Sequence, residues 1–392
     1  MPAALWALAI AMFGIGTTEF VIAGLLPDVA NEFGITISMA GNMATSYALG
    51  VFVGAPLLTI LGAKVPRKTM LTGLLVLFIA GSIITATAPV YWLAITGRVI
   101  TSLMQGAFVG IGAVLAADLV APNRRASAIA FMFTGMTLAN LIGVPAGTWL
   151  AQAMSWRATF WAIALIGIVA MASVIMLVPR VKNHEAPNIR KEMAAFLNGH
   201  VLLAMGITIL GPAAFFTSIT YIAPMMTNVA GYAESSIQWL LFLFGLGLFV
   251  GNILGGRLAD RALMPLLYTT LGGQAVILFV FYFLAESQVA SVICIFFMAA
   301  FGFATVSPIQ KLVMDKAKTA GAPNLASAVN IGMFNLGNAI GALAGGTVIA
   351  HGFGYASPNW AGGLLSTGAL VLALLPGWVA VRQKGVNAYG AN

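Results

Sequence analysis

The sequence predicts an all-α membrane protein of twelve transmembrane helices arranged as two six-helix bundles. Three observations predict it. The chain has 392 residues, 60% of them hydrophobic and only 7% charged. Soluble domains carry about 25% charged residues, so a water-soluble enzyme of this size is excluded. Breakers and charges cut the chain into twelve apolar segments, each near the roughly 20 residues that a bilayer requires. The two sets of six also share short sequences at one constant offset.

The first six segments are Ala4–Pro27, Met39–Leu61, Thr69–Ala88, Tyr91–Leu119, Ala126–Leu150 and Arg157–Val178. The second six are Val201–Val229, Ser236–Leu258, Met264–Ala285, Val289–Asp315, Leu325–Ala350 and Ala361–Val381. Helices are required because lipid offers no partner to an unpaired backbone group. A membrane barrel would need alternating polarity, which is absent. The N-terminal stretch lacks a basic leader and is too long for a signal-peptide core. It is read as the first span.

Basic residues orient the chain. With the N-terminus inside, all but Arg98 and Arg157 of the 18 Lys and Arg fall on the cytoplasmic side, as the positive-inside rule requires. Both termini are then cytoplasmic. The net charge of +8 is thereby a topology signal, and no nucleic-acid partner is expected. The polar stretch 180–200 is a cytoplasmic linker between an N-terminal bundle, 1–179, and a C-terminal bundle, 201–392. Ala126-Ser127-Ala128-Ile129 recurs as Ala326-Ser327-Ala328-Val329, and Leu26-Pro27-Asp28-Val29-Ala30 corresponds to Met226-Thr227-Asn228-Val229-Ala230. Parallel repeats place a binding site at their interface, near the midplane. The expected partners are a small-molecule substrate and the lipid bilayer, with the chain acting as a monomer.

Sorting the acids by depth singles out one. Asp28, Glu32, Glu234 and Glu286 fall in outer loops. Asp118, Asp260 and Asp315 fall at cytoplasmic ends, and Glu185 and Glu192 in the linker. Only Glu19 lies within a span. A charge at the bilayer centre costs about 3 kcal/mol on insertion scales and marks a functional site by default. Glu19 is therefore the candidate proton-coupling acid. The competing reading is a structural acid satisfied by Thr17 and Thr18. Arg98 is the only base within a span. Arg98, Ser102 and Gln105 form one polar stripe on their helix. Depth estimates from the 1.5 Å helical rise put Glu19 and Arg98 at similar levels. They are expected to face one cavity and influence each other's charge. Arg98 could instead pack helices together or snorkel outward.

Other polar groups join the candidate substrate site. Thr134, Thr137 and Asn140 share a face of the fifth span, and Asn335 and Asn338 share one in the eleventh. Tyr47 and Tyr221 are candidate cavity hydroxyls, with Phe215 and Phe216 as apolar wall. Asn and Thr between membrane helices also serve as packing glue. The single cysteine, Cys294, excludes an internal disulfide, and the three histidines lack metal-ligand spacing. No G-x-x-x-x-G-K-[ST] phosphate loop exists, and no H-E-x-x-H or G-x-S-x-G motif. An ATP-driven pump, a membrane protease and a lipase therefore lack support, and no enzyme is expected. The only coupling species expected is a proton, with no cofactor and no metal.

Several of these residues resemble the major facilitator superfamily, over essentially the whole chain. Gly256-Arg257-Leu258-Ala259-Asp260-Arg261 is similar to that family's loop signature. The resemblance implies that Asp260 and Arg261 belong to a conformational latch. In the first-half copy Ala63 stands where the Asp is expected, leaving Arg67 and Lys68. Gly135 and Gly143-Val144-Pro145-Ala146-Gly147 resemble the antiporter signature, with Val144 departing from it. Gly143 and Pro145 are thereby implied in closing the cavity. Arg98 matches the arginine of the fourth-span signature, although Thr101 replaces its Gln. Ser155-Trp156-Arg157 followed by Phe160 looks like the drug exporters. Thr18-Glu19-Phe20 followed by Gly24-Leu25-Leu26-Pro27 resembles the drug:proton antiporter branch that includes arabinose- and sugar-efflux, purine-efflux and chloramphenicol-efflux proteins. The resemblance implies the major facilitator fold, alternating access, and proton-coupled export across a bacterial-type inner membrane. A proton symporter or facilitator importing a sugar or nucleoside is the alternative, and a non-transporting sensor or scaffold the third reading.

Overall fold

The computed structural model describes residues 2–62, 64–121, 124–179, 198–259, 261–319 and 326–389. Of these, 126, 318–319, 326–328 and 376–389 are described by backbone only. Every element among them is helical. Twelve helices are long and apolar enough to span a membrane: Ala3–Phe20, Ile37–Leu61, Arg67–Thr87, Tyr91–Asp118, Ser127–Ala153 and Trp156–Leu177, then Gly199–Asn228, Glu234–Ala259, Leu263–Leu284, Gln288–Ala317, Val329–Ala350 and Ser357–Leu375. They are called the first to twelfth spans below. Most of the expected linker, 180–197, lies outside the described residues. The seventh span begins at Gly199, inside the stretch assigned to the linker.

Helix breaks recur in both halves. The first span stops at Phe20, and a second helix, Ile22–Phe33, continues outward. The seventh stops at Ile219 and continues as Ile222–Asn228. These breaks fall at corresponding positions of the internal repeat. Proline did not end the first segment, as expected from sequence. Pro27 lies inside Ile22–Phe33, so Asp28 and Glu32 are helical rather than in a loop. Membrane helices tolerate proline because neighbouring groups satisfy the freed carbonyl. In the fifth span a π-helical turn, Ala139–Gly143, precedes Pro145. Such single π turns cluster at functional sites.

Small residues let the helices approach closely, since lipid supplies no hydrophobic drive between them. A Cβ on Gly97 would lie 2.7 Å from the Gly81 carbonyl oxygen, and one on Gly81 would lie 2.6 Å from that of Gly97. The third and fourth spans therefore touch backbone to backbone. Polar clamps close the ends of the first half. At the end that carries the Ile22–Phe33 helix, Arg157 donates through Nε and Nη2 to Glu32 at 2.9 and 2.6 Å, and through Nη1 to the Ala86 carbonyl at 3.2 Å. Trp156 Nε1 also donates to Glu32. Ser155 caps the sixth span by accepting from the Ala158 N–H. The Ser155-Trp156-Arg157 sequence thus tethers three segments at one corner.

Several buried groups in the second half are left unsatisfied, Gln274 among them. Gln274, in the ninth span, is fully buried, and neither amide atom has a hydrogen-bond partner. Leaving a buried donor or acceptor unmade costs about 1–3 kcal/mol. Gln274→Met conserves volume, and volume-conserving core changes are well tolerated. The variant is expected to unfold at higher temperature than wild type in detergent, and a lower midpoint would show that the amide has a partner in solution.

Candidate functional site

Glu19 sits at the last turn of the first helix, directly before the break at Val21. The Gln105 amide Nε2, from the fourth span, donates to Glu19 Oε2 at 2.8 Å. The same amide is fixed from behind, because Tyr47 Oη, from the second span, donates to Gln105 Oε1 at 2.7 Å. Three helices thus contribute one residue each to a buried chain, Tyr47–Gln105–Glu19. Since Oε1 accepts from Tyr47, the amide presents its N–H groups to the carboxylate.

Arg98 braces this chain from the side. Its guanidinium carbon lies 4.1 Å from the Tyr47 ring centroid, a cation–π contact. Nη1 donates to the Thr18 carbonyl at 2.8 Å and to Thr18 Oγ1 at 2.9 Å, and Nε donates to the Met43 carbonyl at 3.3 Å. Nη2 has no partner. Arg98 is fully buried and Glu19 nearly so. The two charges do influence each other through space, as expected, but without direct contact. They form no ion pair within the 4.0 Å limit; Arg98 binds Thr18, the neighbour of Glu19, and its contacts lead to the acid through Tyr47 and Gln105. Depth arithmetic fixes level but not azimuth, and azimuth aims the guanidinium at the backbone beside the acid. Snorkelling is also excluded, because the guanidinium is anchored on two neighbouring helices.

The remaining sequence candidates divide. Ser102, on the same stripe, lies against Gly50 of the second span and donates to its own helix at Val99. It is a packing contact. The Thr134 and Thr137 hydroxyls donate back to Phe131 and Phe133 of their own helix, and Thr134 is exposed. Asn140, inside the π turn, donates to the Met136 carbonyl, while its buried Oδ1 has no partner. Asn335 donates to the Ile331 carbonyl and likewise leaves Oδ1 unpartnered; Asn338 is fully buried with neither amide atom partnered. Tyr221 is not a free cavity hydroxyl. Its Oη donates to the Ala342 carbonyl at 2.8 Å, and its ring fills space left by Gly41 and Gly346. It plugs the seam between the second, seventh and eleventh spans.

Phe215 and Phe216 belong to a larger aromatic group. Phe215 stacks on Phe244 with centroids 5.5 Å apart, and Phe303 lies 6.0 Å from Phe215. Phe20, next to Glu19, reaches across from the first half to Phe216 at 5.6 Å and Phe303 at 6.2 Å. Phe244 and Phe303 were not among the sequence candidates, and Thr18 and Phe20 entered only as neighbours of Glu19. The aromatic residues are indistinguishable by composition from the other members of 24 phenylalanines. The position of Phe20 beside Glu19 was the one available signal.

Of the latch candidates, Arg67 pairs with Asp118 at 2.6 Å. The acid missing at Ala63 is thus supplied by the end of the fourth span. This pair joins two helices of one half and does not bridge the halves. Lys68 is half-buried and Arg261 exposed; Asp260 and Ala63 lie outside the described residues. Gly143 permits close contact between the fifth and first spans, with a Cβ there meeting Phe13 at 3.1 Å, and Pro145 starts the helix beyond the π turn.

The two halves meet at the end that carries the Ile22–Phe33 helix. Ser38 Oγ donates to the Gly346 carbonyl at 2.7 Å, and Gln152 Nε2 donates to the Glu234 carbonyl at 2.6 Å. The aromatic wall and the open amide groups lie near the middles of their spans, and the acid lies at the end of the first span beside the break at Val21. That arrangement defines a membrane transporter with a central site between two repeats.

The family follows from sequence comparison. Residues 8–331 match the model of the Major Facilitator Superfamily, and the chain belongs to that family. It is a transporter family, not an enzyme family. The chain is 42% identical to the inner membrane transport protein YdhP of Escherichia coli (strain K12) over 371 residues, 95% of each chain. It is 35% identical to a chloramphenicol resistance protein of Streptomyces lividans over 379 residues, covering 95% of this chain and 96% of that one. Among solved structures, a D-xylose-proton symporter superposes with TM-score 0.75 at 16% identity, covering 95% and 96% of the two chains. At that identity the likeness shows the fold alone.

Proposed function

We propose that this protein is a proton-coupled exporter of a small organic compound, working by alternating access, with Glu19 as the coupling acid. The observation that carries the reading is the setting of Glu19. A lone carboxylate stands buried beside the break between two helices, held by one neutral amide donor and in no ion pair. A carboxylate locked to arginine would resist protonation; one bound by an amide can gain and lose a proton without breaking an ion pair. Phe20 extends from the adjacent residue into the aromatic wall, so occupancy of the wall and protonation of the acid are mechanically linked. The relative named for chloramphenicol resistance supports export over import. The relative named as an inner membrane protein supports placement in a bacterial-type inner membrane. The distribution of Lys and Arg supports a cytoplasmic position for both termini.

The test uses everted vesicles carrying wild type or Glu19→Gln. An inside-acid gradient is imposed, a panel of drugs, sugars and nucleosides is added, and lumenal pH is followed. Wild type should release protons on addition of a substrate, and Glu19→Gln should release at least tenfold fewer. Equal responses would remove Glu19 as the coupling acid. Substrate counterflow that ignores both the gradient and the substitution would establish a facilitator.

A further inference from the structure

The two helix breaks are held by the same kind of contact. Thr18 and Ser218 correspond in the internal repeat, at the offset that relates Leu26 to Met226, and each stands three residues before its break, at Val21 or Tyr221. In the first half Arg98 of the fourth span donates to the Thr18 hydroxyl. In the second half that place is taken by Asn359, from the first turn of the twelfth span: Ser218 Oγ donates to Asn359 Oδ1 at 2.6 Å. Asn359 is fully buried, and its other end is also engaged, Nδ2 donating to Met225 Sδ at 3.0 Å.

Ser218 lies in the last turn of Gly199–Ile219, and Met225 belongs to Ile222–Asn228. One amide therefore grips both arms of the break. Between the arms the backbone ladder is interrupted. The Tyr221 N–H turns to the Ser218 carbonyl at 3.2 Å, an i→i−3 bond, and Tyr221 takes a φ of −109° and a ψ of 20°. Helices bend where the i→i−4 ladder is interrupted, and a fully satisfied buried bridge across such a point makes it rigid. What the bend aims is Tyr221. Its hydroxyl donates to the Ala342 carbonyl at 2.8 Å, and its ring fills the gap at Gly41, Gly345 and Gly346. Gly41 belongs to the other half, so the ring seals the seam only while the arm keeps its angle. Ser38, one turn from Gly41, closes the same seam by donating to Gly346.

We infer that Asn359 is a positioning residue for the seam: by bridging the break in the seventh span it holds Tyr221 in the glycine gap and keeps the two halves closed at that end. The inference rests on the reading that this seam opens and closes in alternating access. Both partners of the amide lie in the seventh span, so Asn359 acts on the seam through Tyr221. Loss of either partner loosens the bridge. Loss of a buried hydrogen bond elsewhere on the twelfth span does not, and Ser366, whose Oγ donates to the Leu271 carbonyl at 2.8 Å, supplies that comparison. Substitutions that break one shared contact are not additive.

The test reads the open fraction of the seam as the rate at which a maleimide labels Ser38→Cys, in the full chain carrying Cys294→Ser, in detergent. Ser38 lies in the first half, so loosening within the second half reaches it only through the seam. Asn359→Ala should label roughly tenfold faster than the parent. Met225→Leu and Ser218→Ala should each label faster, and Ser218→Ala added to Asn359→Ala should bring no further increase. Ser366→Ala should lower the unfolding temperature and leave the rate unchanged. A lowered unfolding temperature with an unchanged rate in Asn359→Ala would overturn the assignment and leave an ordinary buried amide. Equal acceleration by Ser366→Ala, or a further increase in the double variant, would overturn it too. If Asn359→Ala does not fold, the volume-conserving Met225→Leu carries the test, and an unchanged rate there overturns the assignment. Gly245→Val separates this inference from the reading beneath it. Fast labelling in Gly245→Val with no gain in Asn359→Ala would overturn the assignment alone. Slow labelling in both would overturn the moving seam as well.

Discussion

Gly245→Val is expected to lower substrate-driven proton flux by at least 100-fold in a protein that still folds. A side chain at Gly245 collides with the Asn140 carbonyl oxygen and would stand 2.8 Å from the Leu141 Cα. Both are backbone atoms of the π turn in the fifth span, which cannot rotate aside as a side chain could. Overpacking against backbone typically costs about 1–3 kcal/mol. Here the molecule has another way to relieve it. The fifth and eighth spans belong to different halves, so the halves can part at the seam while each keeps its own core. The variant would therefore lose the closed-seam conformation and not the fold. Flux in proteoliposomes measures the first effect. Labelling of Ser38→Cys by a membrane-impermeant maleimide measures the second, because Ser38 is held to Gly346 only while the seam is closed. Labelling should rise in Gly245→Val. Gly54 provides the contrast. A Cβ there would lie 2.5 Å from the Leu103 Cα, and both residues belong to the first half. Gly54→Val has no seam to open and should fail to fold. Wild-type flux in Gly245→Val would show that the tight seam is not visited during transport.

The spans were legible because lipid enforces simple rules. Every long apolar run had to be a helix, and the twelve runs read from sequence coincide with the twelve helices to within a few residues at most ends. The failures are local. Proline was treated as a stop at Pro27, yet the chain breaks at Val21, where nothing in composition marks the site. Within the candidate site, Glu19 and Arg98 stood out because each was the only charge of its sign that the sequence placed within a span and not at a span's end or in a loop. Gln105 stood out through helical spacing from Arg98. The connection between them was not legible. Spacing along one helix shows which residues share a face, but the Tyr47–Gln105–Glu19 chain depends on how three helices are rotated about their axes. The same limit placed Tyr221 in the cavity, although its ring plugs a gap that only the paired glycines Gly41 and Gly346 create. Phe20, Phe244 and Phe303 form a wall only after two halves from distant parts of the chain meet. Among 24 phenylalanines, no local pattern separates these from residues that face lipid.

Arg98 and Tyr47 should separate stability from coupling. Arg98→Ala removes three hydrogen bonds and the stacking on Tyr47. It also leaves a cavity where the first, second and fourth spans converge. Hydrogen bonds to charged groups contribute about 1.5–3 kcal/mol each, and large-to-small core changes cost about 2–5 kcal/mol. These losses overlap and do not add, but a net destabilisation of roughly 3 kcal/mol or more is expected, with transport lost as well. Arg98→Lys keeps the charge, yet an ammonium cannot lie flat on the Tyr47 ring or fork between Thr18 and Met43. It should recover part of the stability and little of the transport. Tyr47→Phe is the reverse case. The ring remains, so the guanidinium keeps its platform and the unfolding temperature should stay close to wild type. Only the hydroxyl is lost, and with it the bond that fixes Gln105. The freed amide can turn its oxygen toward Glu19, replacing a donor with an acceptor that repels the carboxylate. Substrate-triggered proton release should fall by about tenfold, the cost of one misplaced hydrogen bond of about 1.4 kcal/mol. Thermal unfolding in detergent and proton flux in vesicles, measured on the same three variants, test both halves of this expectation. If Tyr47→Phe transports like wild type, Gln105 is held by something other than the tyrosine, and the chain from Arg98 to Glu19 plays no part in coupling.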